Sequence, residues 1–148
     1  MPAYETSALV HAPVKGAWPV LSRVVAWPQW LPTVDSVHPL DGACLALGAR
    51  FVLHQPKLRA TTWKVTQLEP PHLFVWSARH PGIAMLSEHR LDADESAPDV
   101  CTLVLRFVFA GWLGGIAGRL SRSVTEDYLA QEAAAFKAIM EALERYRD

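Results

Sequence analysis

Residues 61–71 read Thr-Thr-Trp-Lys-Val-Thr-Gln-Leu-Glu-Pro-Pro. Thr61, Trp63, Val65 and Gln67 alternate with Thr62, Lys64, Thr66 and Leu68, the period of two that gives a strand one buried and one solvated face. Trp63 marks the inner face. Pro70 and Pro71 end the strand, because proline has no amide hydrogen to give to a sheet ladder.

Working toward the C-terminus, residues 73–79 form the next strand, with either parity open, and Pro81-Gly82 is a turn. In the strand over 83–92, Leu86, Glu88, Arg90 and Asp92 make a mostly charged face. Met85, Ser87, His89 and Leu91 therefore point to the opposite, concave side. A polar turn at 94–99 precedes a strand at 101–109, where Cys101, Leu103, Leu105, Phe107 and Phe109 share one face and Thr102 and Arg106 the other. Toward the N-terminus, strands over 49–54 and 35–40 are separated by Asp41-Gly42 and by Gly48. The first strand covers 4–10. A helix is expected over 13–23, starting at Pro13 and kinked or split by Pro19. Trp27, Pro28, Trp30 and Pro32 then allow one more short helical turn, with both tryptophans toward the sheet.

The tail 112–147 has helical periodicity. Leu113, Ala117, Leu120 and Val124, then Tyr128, Ala135, Ile139, Leu143 and Tyr146, drift round one stripe opposite Glu126, Lys137, Glu141 and Glu144. A break is expected near 121–123, where Ser123 and Glu126 stand at capping-box spacing. Together the elements define an α+β chain, a curved sheet gripping a helix, in one domain spanning 1–148.

Composition narrows the function. The 148 residues carry a formal net charge of −1, with 51% hydrophobic residues and six tryptophans. Such a balance gives no electrostatic reason to expect nucleic acid, and Arg50, His54, Lys57 and Arg59 read as solvated rim. Residues 100–118 are apolar enough to suggest a span and include Gly111 and Gly115 at GxxxG spacing. Arg106 and the alternation of the first half argue for a strand and against stable membrane insertion. Cys44 and Cys101 have neither CxxC nor zinc spacing, and residues 1–10 lack the basic start and apolar run of a signal peptide. A cytoplasmic protein with reduced thiols is expected. The six histidines are scattered without metal spacing, and the glycines at 111–118 match no phosphate loop. No metal and no cofactor are expected.

The residues Pro13 through Trp18, Trp27-Pro28-Gln29-Trp30 with Pro32, Gly48 with Phe51, Trp63 with Val65, Pro70-Pro71 before Trp76, His89-Arg90-Leu91, and Tyr128 with Glu132 resemble the START-like (SRPBCC) superfamily. Polyketide cyclases and dehydrases, Bet v 1-type allergens and lipid-transfer domains belong to it, and the resemblance covers nearly the whole chain. It implies a helix-grip fold: an antiparallel sheet of about six to seven strands, two short helices after the first strand, and a long C-terminal helix across the concave face. The superfamily houses cyclases, carriers, hydrolases and regulators, so its fold does not settle a function.

A curved sheet crossed by one helix leaves space that side chains do not fill, and that space favours an apolar ligand. The lining set expected from face assignments is Trp27, Trp30, Trp63, Val65, Trp76, Met85, Ser87, His89, Leu103, Leu105, Phe107, Leu113, Leu120, Tyr128 and Glu132. Two of these are candidates for acid–base chemistry. His89 either hydrogen-bonds or titrates against a ligand or is a structurally bonded histidine. Glu132, one turn after Tyr128, is either a buried acid with raised pKa or a partly exposed carboxylate paired with an arginine or water.

Three functions follow from this set. The leading one is binding of a small apolar, aromatic or acyl molecule. The second is a cyclase or dehydratase using His89 or Glu132. The third is an interaction or stress-type module with a vestigial cavity, in which Trp112 and Leu113 form a sticky patch and a homodimer is possible.

Overall fold

The computed structural model describes residues 1–147. Strand β1 (Ala3–Val10) leads into α1 (Val14–Ser22), a 3₁₀ turn (Val24–Ala26) and α2 (Trp27–Trp30). Six strands follow as a meander: β2 (Ser36–Pro39), β3 (Arg50–His54), β4 (Thr61–Glu69), β5 (Leu73–His80), β6 (Ile83–Ala93) and β7 (Cys101–Ala110). Helices α3 (Gly114–Leu120) and α4 (Arg122–Arg147) close the chain. All neighbouring strands pair antiparallel in the order β1-β7-β6-β5-β4-β3-β2. This is a helix-grip fold.

Pro13 opens α1, its carbonyl accepting hydrogen bonds from the Gly16 and Ala17 amides at 3.0 Å. Of the two outcomes expected at Pro19, the split does not occur. The turns continue to Ser22 and tighten into the 3₁₀ turn only afterwards, with the Arg23 amide bonded to the Pro19 carbonyl at 3.2 Å.

The alternation of β4 changes midway. Val65 pairs with Trp76, but Gln67, rather than Thr66, pairs with Val75, so one extra residue bulges out. A bulge reverses which parity faces inward. Trp63 and Val65 are buried, Gln67 is exposed, and Leu68 packs on the core. Gln67 therefore leaves the inner face to which strict alternation assigns it. The same register settles β5: Phe74, Trp76 and Ala78 lie opposite His89, Ser87 and Met85, on the concave side.

Helix α4 buries Leu129, Ala133, Phe136 and Met140, spaced by three and four residues. This stripe lies beside the one read from the sequence, and Leu143 and Tyr146 are exposed. Ala135 and Ile139 of the expected stripe, half-buried, still pack against the core beside it. Nor do Ser123 and Glu126 form a capping box. The helix starts at Arg122, Ser123 lies inside it, and Glu126 accepts a hydrogen bond from Arg122 Nε at 3.0 Å. The break falls at Ser121, between α3 and α4.

Candidate functional site

The concave face is solid at one end and hollow at the other. Leu91, Cys101, Leu103 and Leu105 fill the first half together with Phe136 and Met140 of α4. Over the second half the side chains do not meet, and a cavity of about 300 Å³ remains. Trp27, Trp63, Trp76, Met85, Phe107 and Phe109 form its aromatic and apolar wall, and Val124, Thr125, Tyr128, Leu129 and Glu132 of α4 its roof. Leu58, Arg59 and Leu120, all exposed, also border it, so the cavity opens to solvent between the β3–β4 turn and the α3–α4 junction. The Tyr128 hydroxyl donates to the Pro56 carbonyl and ties that turn to α4.

Of the lining residues expected from the sequence, Trp27, Trp63, Trp76, Met85, Ser87, His89, Phe107, Leu120, Tyr128 and Glu132 come together on the cavity. Val65, Leu103 and Leu105 face the right side but sit in the filled core, because strand parity gives a face and not a depth along it. Trp30 packs against the outside of that core. Leu113 seats on the β5–β6 turn, its amide donating to the Gly82 carbonyl at 2.8 Å. Leu53, Gln55, Leu58, Arg59, Thr61, His80, Phe109, Ser121, Val124, Thr125 and Leu129 line the cavity without having been in the expected set. Phe109 follows from the parity of β7 and Leu129 from the helical period; the turn residues carry no such signal.

His89 is fixed on three sides. Its ring stacks on Phe74 with centroids 4.1 Å apart and planes 11° from parallel, and Trp27 and Trp76 stand 5.5 Å and 5.6 Å away. Nδ1 lies 3.3 Å from the Phe74 carbonyl oxygen, and Nε2 lies 3.4 Å from the Ser87 hydroxyl. A carbonyl only accepts, so Nδ1 carries the hydrogen and Nε2 presents a lone pair toward Ser87 on the cavity wall. Burial in this aromatic box pushes the imidazole down to about 3, the Phe74 hydrogen bond opposing the shift. At neutral pH it is an uncharged acceptor, in keeping with the structurally bonded reading.

Glu132 is the second polar group of the wall. It is half-buried on α4 and lines the cavity. Burial raises its carboxyl to about 7, against the pull of the Thr33 hydroxyl, which donates to Oε1 at 3.0 Å. No cation pairs with it among the described residues, so it changes charge near neutral pH. The arginine partner of the second reading is thus absent among the described residues, while the acid stays partly exposed, as that reading has it. A third polar atom, Trp63 Nε1, is buried with no hydrogen-bond partner among the described residues.

A helix-grip chain with an aromatic-walled internal cavity and a small number of polar groups in its wall defines a class of protein built around a pocket. The chain belongs to the polyketide cyclase / dehydrase and lipid transport family, whose model matches residues 1–144. A search of curated proteins finds no match. Among solved structures, a Thermobifida fusca protein is similar with a TM-score of 0.78 and 18% identity, over 97% of this chain and 96% of that one. The Zhui aromatase/cyclase of Streptomyces sp. R1128 is similar with a TM-score of 0.70 and 21% identity, over 94% and 93%. The di-domain aromatase/cyclase StfQ of the steffimycin biosynthetic pathway is similar with a TM-score of 0.69 and 14% identity; it matches 99% of this chain and 51% of its own. Likeness at such identity speaks for the fold. No described helix is long and apolar enough to cross a membrane.

Proposed function

We propose that the cavity binds a small apolar molecule, aromatic or acyl, whose one or two polar atoms meet His89 and Glu132. The observation that carries this reading is the aromatic-walled space of about 300 Å³, at the lower end of ligand-pocket sizes. Apolar burial contributes about 25 cal/mol per Å², so a two-ring ligand burying on the order of 200 Å² gains on the order of 5 kcal/mol, a sub-millimolar dissociation constant. The lone pair on His89 Nε2 favours a ligand hydroxyl over a ligand carbonyl, while Trp63 Nε1 is a donor without a partner.

Titration with 1-naphthol, followed by the emission of the wall tryptophans, tests the reading. Saturable quenching is expected, with naphthalene binding several-fold more weakly for want of one hydrogen bond. Ser87→Trp, which places a ring in the cavity, is expected to lower 1-naphthol affinity by about tenfold or more. Unchanged affinity in that variant would place the ligand elsewhere.

One observation favours turnover as a second reading. Glu132, with a pKa of about 7, is matched to general acid–base work at neutral pH, whereas His89 at about 3 is not. Of the two candidates, Glu132 is then the proton-transfer group of a cyclase or dehydratase, and His89 positions the substrate. A cytoplasmic location is part of the same proposal, supported by the unpaired thiols of Cys44 and Cys101.

A further inference from the structure

The cavity mouth continues into an exposed apolar row. Trp112 in the turn before α3, Ile116 and Leu120 of α3, and Val124 in the first turn of α4 are spaced by four residues. All four are exposed, Trp112 by 83% and Leu120 by 82%. The row is held rigidly: Gly111 and Gly82 both have positive φ, and a Cβ on Gly111 would stand 2.5 Å from the Gly82 carbonyl oxygen. Backbone approach this close, together with the Leu113 amide bond to Gly82, fixes the start of α3 on the β5–β6 turn. Leu120 and Val124 border the cavity, and the exposed Leu58 borders it from the β3–β4 turn.

Charge along most of this row is of one sign, the exposed acids Glu126 and Asp127 following only at its α4 end. Segments 55–61 and 112–125, which frame the mouth, hold Lys57, Arg59, Arg119 and Arg122 and no carboxylate, in a chain whose net charge is −1. Among the described residues only Arg122 of these four pairs with an acid, Glu126. An apolar row with a terminal tryptophan, flanked by unpaired cations, matches the interface of an anionic bilayer: the indole sits at headgroup depth and the cations meet the headgroups. A second copy docked across a two-fold axis would set these cations against one another. We propose that this face docks the protein peripherally on an anionic lipid surface, with the cavity mouth turned toward the lipid. The inference does not depend on what, if anything, occupies the cavity.

Co-sedimentation of the full chain with vesicles tests it. Vesicles of phosphatidylcholine and phosphatidylglycerol in equal parts are expected to bind about tenfold or more protein than phosphatidylcholine alone, with binding falling as salt rises. Trp112→Asp and the double variant Arg59→Glu/Arg119→Glu are each expected to lose most of that binding. Arg145→Glu, about 35 Å away along α4, is expected to retain it, and circular dichroism checks that each variant is folded. Equal binding to both vesicle types, no binding to either, or a dimer that Trp112→Asp dissociates without any vesicle binding would each overturn the proposal.

Discussion

Replacing Glu132 by Gln is expected to make stability fall with acidification across a pH range where the wild-type protein is nearly level. The carboxyl moves from its ordinary 4.5 to about 7 on folding because burial disfavours its charge. The folded state thus holds this proton more tightly than the unfolded chain. The stability this contributes is complete below pH 4.5 and is lost as pH rises to about 7, in total about 3 kcal/mol. His89 acts in the opposite sense. Burial lowers its pKa from 6.5 to about 3, so the unfolded chain binds the proton more tightly. Its contribution is complete above pH 6.5 and is lost on acidification toward pH 3, in total about 5 kcal/mol.

Neither shift has the other group among its causes, so the two contributions add. Between pH 4.5 and 6.5 their slopes, each about 1.4 kcal/mol per pH unit, cancel. Glu132→Gln leaves only the histidine, and urea midpoints of that variant should fall steadily from pH 6.5 downward. His89→Gln leaves only the acid, and its midpoints should fall from pH 4.5 up to about 7. The reading depends on slopes, so any uniform destabilisation by either variant does not obscure it. Profiles of both variants parallel to the wild type would mean that the two groups are solvated, and the polar character assigned to the cavity wall would be wrong.

Trp27→Ala is expected to destabilise the protein by about 3 to 5 kcal/mol, the range for a large aromatic removed from a core. Trp27 is the side chain through which the short helices grip the sheet. It lies 5.2 Å from Trp76 and 5.5 Å from Phe136, both edge-on, and 6.1 Å from Phe74. Its indole nitrogen donates to the Leu21 carbonyl at 3.2 Å, linking α2 back to α1. Removing the ring opens the filled half of the concave face to the cavity and orphans that carbonyl. Trp27→Phe, which keeps part of the contact area, should lose clearly less. A loss below about 1 kcal/mol for the alanine variant, read from urea unfolding, would show that the neighbouring rings close over the gap and that Trp27 is only a wall of the cavity.

The sheet was legible in the sequence because β4, β6 and β7 state their own faces, whereas β5 leaves either parity open. The charged row Leu86, Glu88, Arg90, Asp92 put His89 and Ser87 inside, and β7 pairs with β6 in the register that this parity requires. Glu132 was legible as the one acid breaking an apolar stripe. The bulge at Thr66 was not, since an extra residue leaves no mark in composition and shows only as Gln67 turning outward. Nor was the boundary between solid core and cavity. Leu103 and Phe107 share a face of β7, yet one is covered by α4 and the other borders empty space. That boundary depends on where a 26-residue helix crosses the sheet, a tertiary distance that periodicity does not encode. The loop residues Gln55, Leu58 and Arg59 escaped for a related reason: they reach the mouth through a turn, without a repeating pattern to place them.

Native mass spectrometry of the protein purified from its own host shows whether the cavity is a ligand site. A non-covalent adduct of defined mass is expected that survives gentle ionisation, disappears on denaturation and is absent from Ser87→Trp. An adduct retained by Ser87→Trp, or none even after addition of aromatic and acyl compounds, would contradict a ligand site in the cavity.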